Sequence, residues 1–96
     1  MNDDKKEDAF YERLKEQLAG DTVWPAEYLY KFIVPSDLEK IAEINAAFDG
    51  MEAKIKTRDS SKGTYTSISV RVMMDSPETV IEKYREVSKV EGVISL

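Results

Sequence analysis

The chain has 96 residues, with 14 Lys+Arg against 19 Asp+Glu, a formal net charge of −5. It contains no His and no Cys, which excludes a disulfide frame, thiolate nucleophiles, zinc knuckles, iron–sulfur ligation and imidazole-based triads. Any catalysis would fall to carboxylates, Lys, Tyr or Ser in strongly tuned surroundings, so a non-enzymatic domain without metal or cofactor is expected.

The first eight residues, Met1-Asn2-Asp3-Asp4-Lys5-Lys6-Glu7-Asp8, are almost all charged or polar and are expected to form a flexible tail (1–8) ahead of a single α+β domain (9–96). They lack the apolar segment of a secretory signal, and no apolar run in the chain is long enough to span a bilayer, so the default expectation is a cytoplasmic location away from membranes. Phe10, Leu14 and Leu18 recur four apart, which predicts a helix over about 9–19, with Asp8 as its cap and Gly20 as its stop.

After Trp24-Pro25 the chain turns aromatic and β-branched. Tyr28 to Val34 reads as a strand with Tyr28, Tyr30, Phe32 and Val34 on one face and Leu29, Lys31 and Ile33 on the other. Ser36-Asp37-Leu38-Glu39 has the form of a capping box in which the Ser36 hydroxyl accepts the Glu39 N–H. Leu38, Ile41, Ile44 and Phe48 then keep helical spacing, with Asn45 a polar exception on the same stripe. Met51 to Asp59 alternates, with Lys54, Lys56 and Arg58 on one side. Ser60-Ser61-Lys62-Gly63 is a hairpin loop, and Gly63 suits a positive φ. Thr64 to Met74 alternates again, with Thr66, Ile68, Val70, Val72 and Met74 inward. Ser76-Pro77 opens another helix, with Val80, Ile81, Tyr84 and Val87 as its stripe. Val93 to Leu96 is a short last strand.

After the first helix the order is β-α-β-β-α-β, with Asp49-Gly50-Met51 echoed by Glu91-Gly92-Val93. This is the split βαβ repeat of the ferredoxin-like plan. It predicts a four-stranded antiparallel sheet in the order 4-1-3-2, both repeat helices on one face, and an extra N-terminal helix.

Trp24-Pro25-x-x-Tyr28-x-Tyr30-Lys31 resembles the YbeD-like family, a small bacterial domain of unknown function, in its aromatic-Pro step into an aromatic strand bearing Lys. Ser60-Ser61-Lys62-Gly63-Thr64-Tyr65-Thr66-Ser67 is similar to that family's second signature, Ser-Ser-Lys-Gly-x-Tyr-x-Ser. The resemblance runs from about Trp24 to Leu96. It implies a ferredoxin-like domain similar to ACT regulatory domains, which bind small effectors such as amino acids, and it implies a link to lipoate-related regulation. ACT domains typically carry Gly in the first strand–helix turn, whereas this turn is Val34-Pro35-Ser36-Asp37.

The leading candidate site is the open sheet face. Lys31, Lys54, Lys56, Arg58 and Arg71 share it with Ser67 and Ser69, Lys62 adjoins it, and Tyr65 offers a stacking platform, with only Asp59 nearby as a counter-charge. Exposed aromatics with basic neighbours are the layout of RNA-binding sheets. The alternative is a solvated edge strand whose lysines discourage strand-to-strand pairing. The Ser60–Gly63 loop is a second candidate, able to offer N–H groups and Lys62 to an anion. Ser36 and Asp37 form a candidate effector turn at a helix N-terminus. The N-terminal helix would close the open sheet side, lie on an edge or meet a partner chain; Glu7, Asp8, Glu12 and Glu16 are available to pair with the basic face. The favoured function is a regulatory or interaction domain acting through a protein partner or a homodimer. Nucleic-acid or anion binding and small-effector sensing are the alternatives.

Overall fold

The structure, a computed structural model, describes residues 2–96. Its elements are α1 (Asn2–Asp21), β1 (Ala26–Pro35), α2 (Leu38–Ala46), β2 (Lys54–Asp59), β3 (Tyr65–Met74), α3 (Pro77–Val87) and β4 (Ile94–Ser95). The strands form one antiparallel sheet in the order β2-β3-β1-β4, which is the expected ferredoxin-like arrangement. The long central pairing sets Tyr30 against Val70 and Phe32 against Ile68. Because alternate side chains leave opposite faces of a strand, this register puts Tyr30, Phe32, Val34, Thr66, Ile68, Val70, Val72 and Met74 together under the helices, all buried.

The core is an aromatic cluster. Tyr30 lies between Phe32 and Tyr84, with ring centroids 5.7 and 4.9 Å away, and Phe48 of the α2 end completes it at 5.2 Å. Buried phenols need partners. Tyr30 donates to the Val80 carbonyl at 3.0 Å, and the Tyr28 and Tyr84 hydroxyls share a hydrogen bond of 2.8 Å. Burial pushes the Tyr30 and Tyr84 phenols well above the usual tyrosine range, because the charged form would lose its hydration.

α3 starts as expected, with Ser76 as cap accepting the Thr79 N–H and Pro77 in the first turn. α2 does not. Its cap is Asp37, whose carboxylate accepts the Glu39 N–H at 2.9 Å. The Ser36 hydroxyl is instead engaged by Thr66 at 2.8 Å, and Thr66 donates to Asp59 at 2.9 Å. The buried Thr66 needs this chain of partners, so it draws Ser36 away and the cap moves one residue on. Leu38, first in the helix, is left 85% exposed. The Asn45 carbonyl oxygen is buried with no partner among the described residues.

The acidic-Gly echo is structural. Gly50 and Gly92 both have positive φ, 77° and 85°. At Gly92 a Cβ would also stand 3.0 Å from the Pro35 ring, so the α3–β4 turn packs onto the turn that follows β1.

Two expectations about the N-terminus are corrected. The charged segment expected as a flexible tail is helical from Asn2, and Asp8 is not a cap but lies inside α1. Lys, Glu and Ala are good helix formers, and Asp8 is tied to Arg85 of α3 at 2.8 Å. Met1 lies outside the described residues. Among the described residues, Glu7, Asp8, Glu12 and Glu16 make no ion pair with the basic sheet face either. α1 packs beside α3, with Tyr11 stacked on Tyr84 at 6.2 Å and the Arg85 guanidinium 4.7 Å from the Tyr11 ring. A fully apolar helix stripe would suit the sheet, but Tyr11 and Arg85 match each other through a cation–π contact. The open side of the sheet therefore stays open.

Candidate binding surface on the open sheet face

The strand register orders the open face into rows. Lys54, Arg71 and Leu29 lie side by side across β2, β3 and β1; Lys56, Ser69 and Lys31 form the next row; Arg58, Ser67, Ile33 and Ile94 form a third. Tyr65 lies beyond the third row toward the hairpin, and Lys62 is on the hairpin tip. Every basic residue expected on this side except Lys62 thus falls on one surface.

The surface is not uniform. It carries two shallow depressions at opposite ends. One, of about 260 Å³, is lined by Leu29, Lys54, Lys56, Ser69 and Arg71. The other, of about 430 Å³, is lined by Ile33, Arg58, Asp59, Ser60, Ser61, Tyr65 and Ser67. Lys54 and Arg58 are four residues apart, so the two depressions are separated by roughly 13 Å along the strand. Lys31 stands between them and lines neither.

The electrostatics are more graded than composition suggests. Arg71 lies 3.6 Å from Glu27, a counter-charge that the sequence reading missed by starting the strand at Tyr28 instead of Ala26. Glu27 shares parity with Leu29 and Lys31, so extending the alternation by one step would have found it. Asp59, expected beside the cations, instead holds Thr66 through one oxygen. Lys31, Lys54, Lys56, Arg58 and Lys62 have no ion-pair partner among the described residues. Exposed apolar side chains missed as site components share the face: Leu29 at 45%, Ile94 at 53% and Leu96 at 67% exposure. Tyr65, at 46%, is available for stacking.

The Ser36–Asp37 turn is filled. Asp37 supplies its own carboxylate to the α2 N-terminus, Ser36 is bound to Thr66, and Gly92 packs on Pro35 beside them. The groups with displaced titration are Tyr11, Tyr30 and Tyr84, all in the helix-side core. None lines either depression on the open face.

Residues 22–96 match the model of a family described as protein of unknown function (DUF493). A curated relative, a UPF0250 protein of Shewanella sediminis (strain HAW-EB3), is 49% identical over 37 residues, covering 38% of this chain and 42% of that protein. The chain thus matches about two fifths of that relative's length. The solution structure of protein HP0495 from H. pylori is similar in fold, with a TM-score of 0.63 at 17% identity over 78% of this chain and 85% of that one. No helix among the described residues is long and apolar enough to cross a membrane. The chain belongs to the DUF493 family, and the YbeD-like resemblance read from its two motifs is borne out.

Proposed function

We propose that this DUF493 member is a non-catalytic interaction domain of ACT-like architecture, working in the cytoplasm in a regulatory role, and that its open sheet face docks an acidic segment of a different protein. The observation that carries this reading is the pairing of exposed Leu29, Ile94 and Leu96 with the unpaired cations Lys31, Lys54 and Lys56 on one surface. Apolar groups supply the contact area and the cations select an acidic sequence and speed its encounter. A second copy fits less well. Two such faces brought together would oppose cation to cation, with the Glu27 carboxylate lying beyond the Leu29 row, opposite Met73, and like charges across an interface are costly.

Two other readings have weaker support. Nucleic acid would find Tyr65 and the cations, but sheets of this type stack bases on two or three aromatics, and Tyr65 is the aromatic found exposed on this face. A small effector at Ser36–Asp37 would have to displace the Asp37 carboxylate from the helix N-terminus.

The test compares the full chain with Lys54→Glu/Lys56→Glu by fluorescence anisotropy against a labelled alternating Leu/Glu peptide and a single-stranded RNA, with light scattering alongside. Peptide binding that weakens by about tenfold or more in the double variant, and with added salt, is expected. Tighter binding of RNA than of peptide, or a dimer that the double variant dissolves, would overturn the proposal.

A further inference from the structure

The depression at the hairpin end differs in chemistry from the rest of the face. Ile33 and Tyr65 line it together with the polar Arg58, Ser60, Ser61 and Ser67. The hairpin builds it. Ser60 donates its N–H to the Tyr65 carbonyl at 2.8 Å and accepts the Tyr65 N–H on its hydroxyl at 3.2 Å. Gly63, at φ 69°, closes the turn by donating to the Ser60 carbonyl at 2.9 Å. This leaves the N–H groups of Ser61 and Lys62, at the centre of the turn, with no acceptor among the described residues. The Arg58 guanidinium likewise has no carboxylate within ion-pair distance among the described residues.

The lining therefore holds several donors, the Arg58 guanidinium, the Ser60 and Ser61 hydroxyls and the free Ser61 amide, with the Lys62 amide and ammonium on the adjoining tip. A tetrahedral dianion uses several donors converging from different directions. The same lining includes a half-exposed phenol ring and an isoleucine, apolar groups of the kind on which a planar ring lies. Asp59 borders the same depression, and among the described residues only one of its carboxylate oxygens is engaged, by Thr66. The remaining oxygen accepts N–H donors and would repel a second anionic group.

We infer that the hairpin-end depression is a binding site for a small phosphate monoester carrying a planar, N–H-bearing ring, a mononucleotide being the simplest of that class. Arg58, Ser60, Ser61 and the turn amides take the phosphoryl group, Tyr65 and Ile33 take the ring, and Asp59 takes a ring or exocyclic N–H. The site shares the open face with the proposed peptide surface, at the opposite end from the Leu29–Lys54–Lys56 depression, so Lys54→Glu/Lys56→Glu tests the peptide reading and Arg58→Gln tests this one.

The test is a titration of the full chain followed by ¹H–¹⁵N NMR, with adenosine 5′-monophosphate, adenosine and inorganic phosphate as separate probes. Saturable shifts from the monophosphate, confined to Ile33 and the Arg58–Ser67 region, are expected, with both fragments binding more weakly. Arg58→Gln should weaken the monophosphate by about tenfold or more, and Arg58→Lys should restore part of that loss. Tyr65→Leu, which keeps an apolar side chain, should weaken the monophosphate by about fivefold or more and leave phosphate unchanged. Both positions are exposed, and unchanged signals from the buried Val70 and Val80 amides would verify the fold of each variant. Absence of saturable binding, shifts centred on Lys54 and Lys56, or phosphate binding as tight as that of the monophosphate would overturn the assignment.

Discussion

The two faces of the sheet are built from alternate residues of the same strands and have opposite chemistry. Toward the helices β1 presents Tyr30, Phe32 and Val34, all at 0% exposure. Toward solvent the interleaved residues are Leu29, Lys31 and Ile33. β3 repeats the division, with Ile68 and Val70 inside and Ser67, Ser69 and Arg71 outside. The covered face is specified by packing, so its residues are set by volume and by hydrogen-bond partners for the phenols. The open face has no such constraint. Its exposed apolar side chains and unpaired cations add little to stability, since burying a Phe-sized side chain contributes roughly 1.5–3 kcal/mol whereas isolated surface charges contribute almost nothing. Residues that stability does not require are where a binding function is best sought.

That division is easily challenged. Phe32→Ala should cost about 3–5 kcal/mol in urea unfolding, while the adjacent Lys31→Ala should stay within about 0.5 kcal/mol. Similar losses at both positions would break the comparison. A smaller effect separates the faces by pH. Tyr30 and Tyr84 are neutral when folded, and their folded pKa lies above the unfolded value. Their stabilising contribution is therefore complete below about pH 10 and is lost as pH rises beyond it, by about 1.4 kcal/mol per pH unit for each tyrosine. Urea midpoints measured across the alkaline range should fall accordingly, and Tyr30→Phe should remove one tyrosine's share of the slope. Smaller again is the flaw in the covered layer. Asn45→Ala removes a buried oxygen without a partner and should raise stability by about 1 kcal/mol; a loss of that size would mean that the oxygen is satisfied in solution. The smallest change is expected for Lys54→Glu/Lys56→Glu, which should leave the unfolding midpoint nearly unmoved.

Much of this was legible in the residues because strand alternation is a strict, local signal. The aromatic face of β1, the apolar face of β3, the hairpin glycine and the Ser76-Pro77 helix start all follow from short-range rules, and together they give the sheet order. The misread features depend on contacts between distant segments. Ser36 has the right spacing to cap α2, but Thr66, thirty residues away, competes for its hydroxyl. The charged start of α1 resembles a tail until Arg85 and Tyr84 are beside it. At the candidate site the cations could be placed on one face by parity alone. Their division between two depressions could not, because it depends on how Tyr65 and the Ser60 turn fold over the end of the sheet.

β4 is only two residues long, and the consequence can be followed along its neighbour. Ser36 donates to the Thr64 carbonyl and Leu96 donates to the Lys31 carbonyl. These bonds fix the direction of the β1 amides: even-numbered residues point to β3 and odd-numbered ones point outward, with β4 meeting only Phe32 and Ile33 in the ladder. The outward amides of Glu27 and Leu29 therefore have no strand across from them among the described residues. In deuterated buffer the Tyr28 and Tyr30 amides should retain their protons while Glu27 and Leu29 exchange quickly, a one-in-two rhythm within a single strand. Any chain that lies along that edge would silence the rhythm, so the protein carries a built-in clock for detecting it.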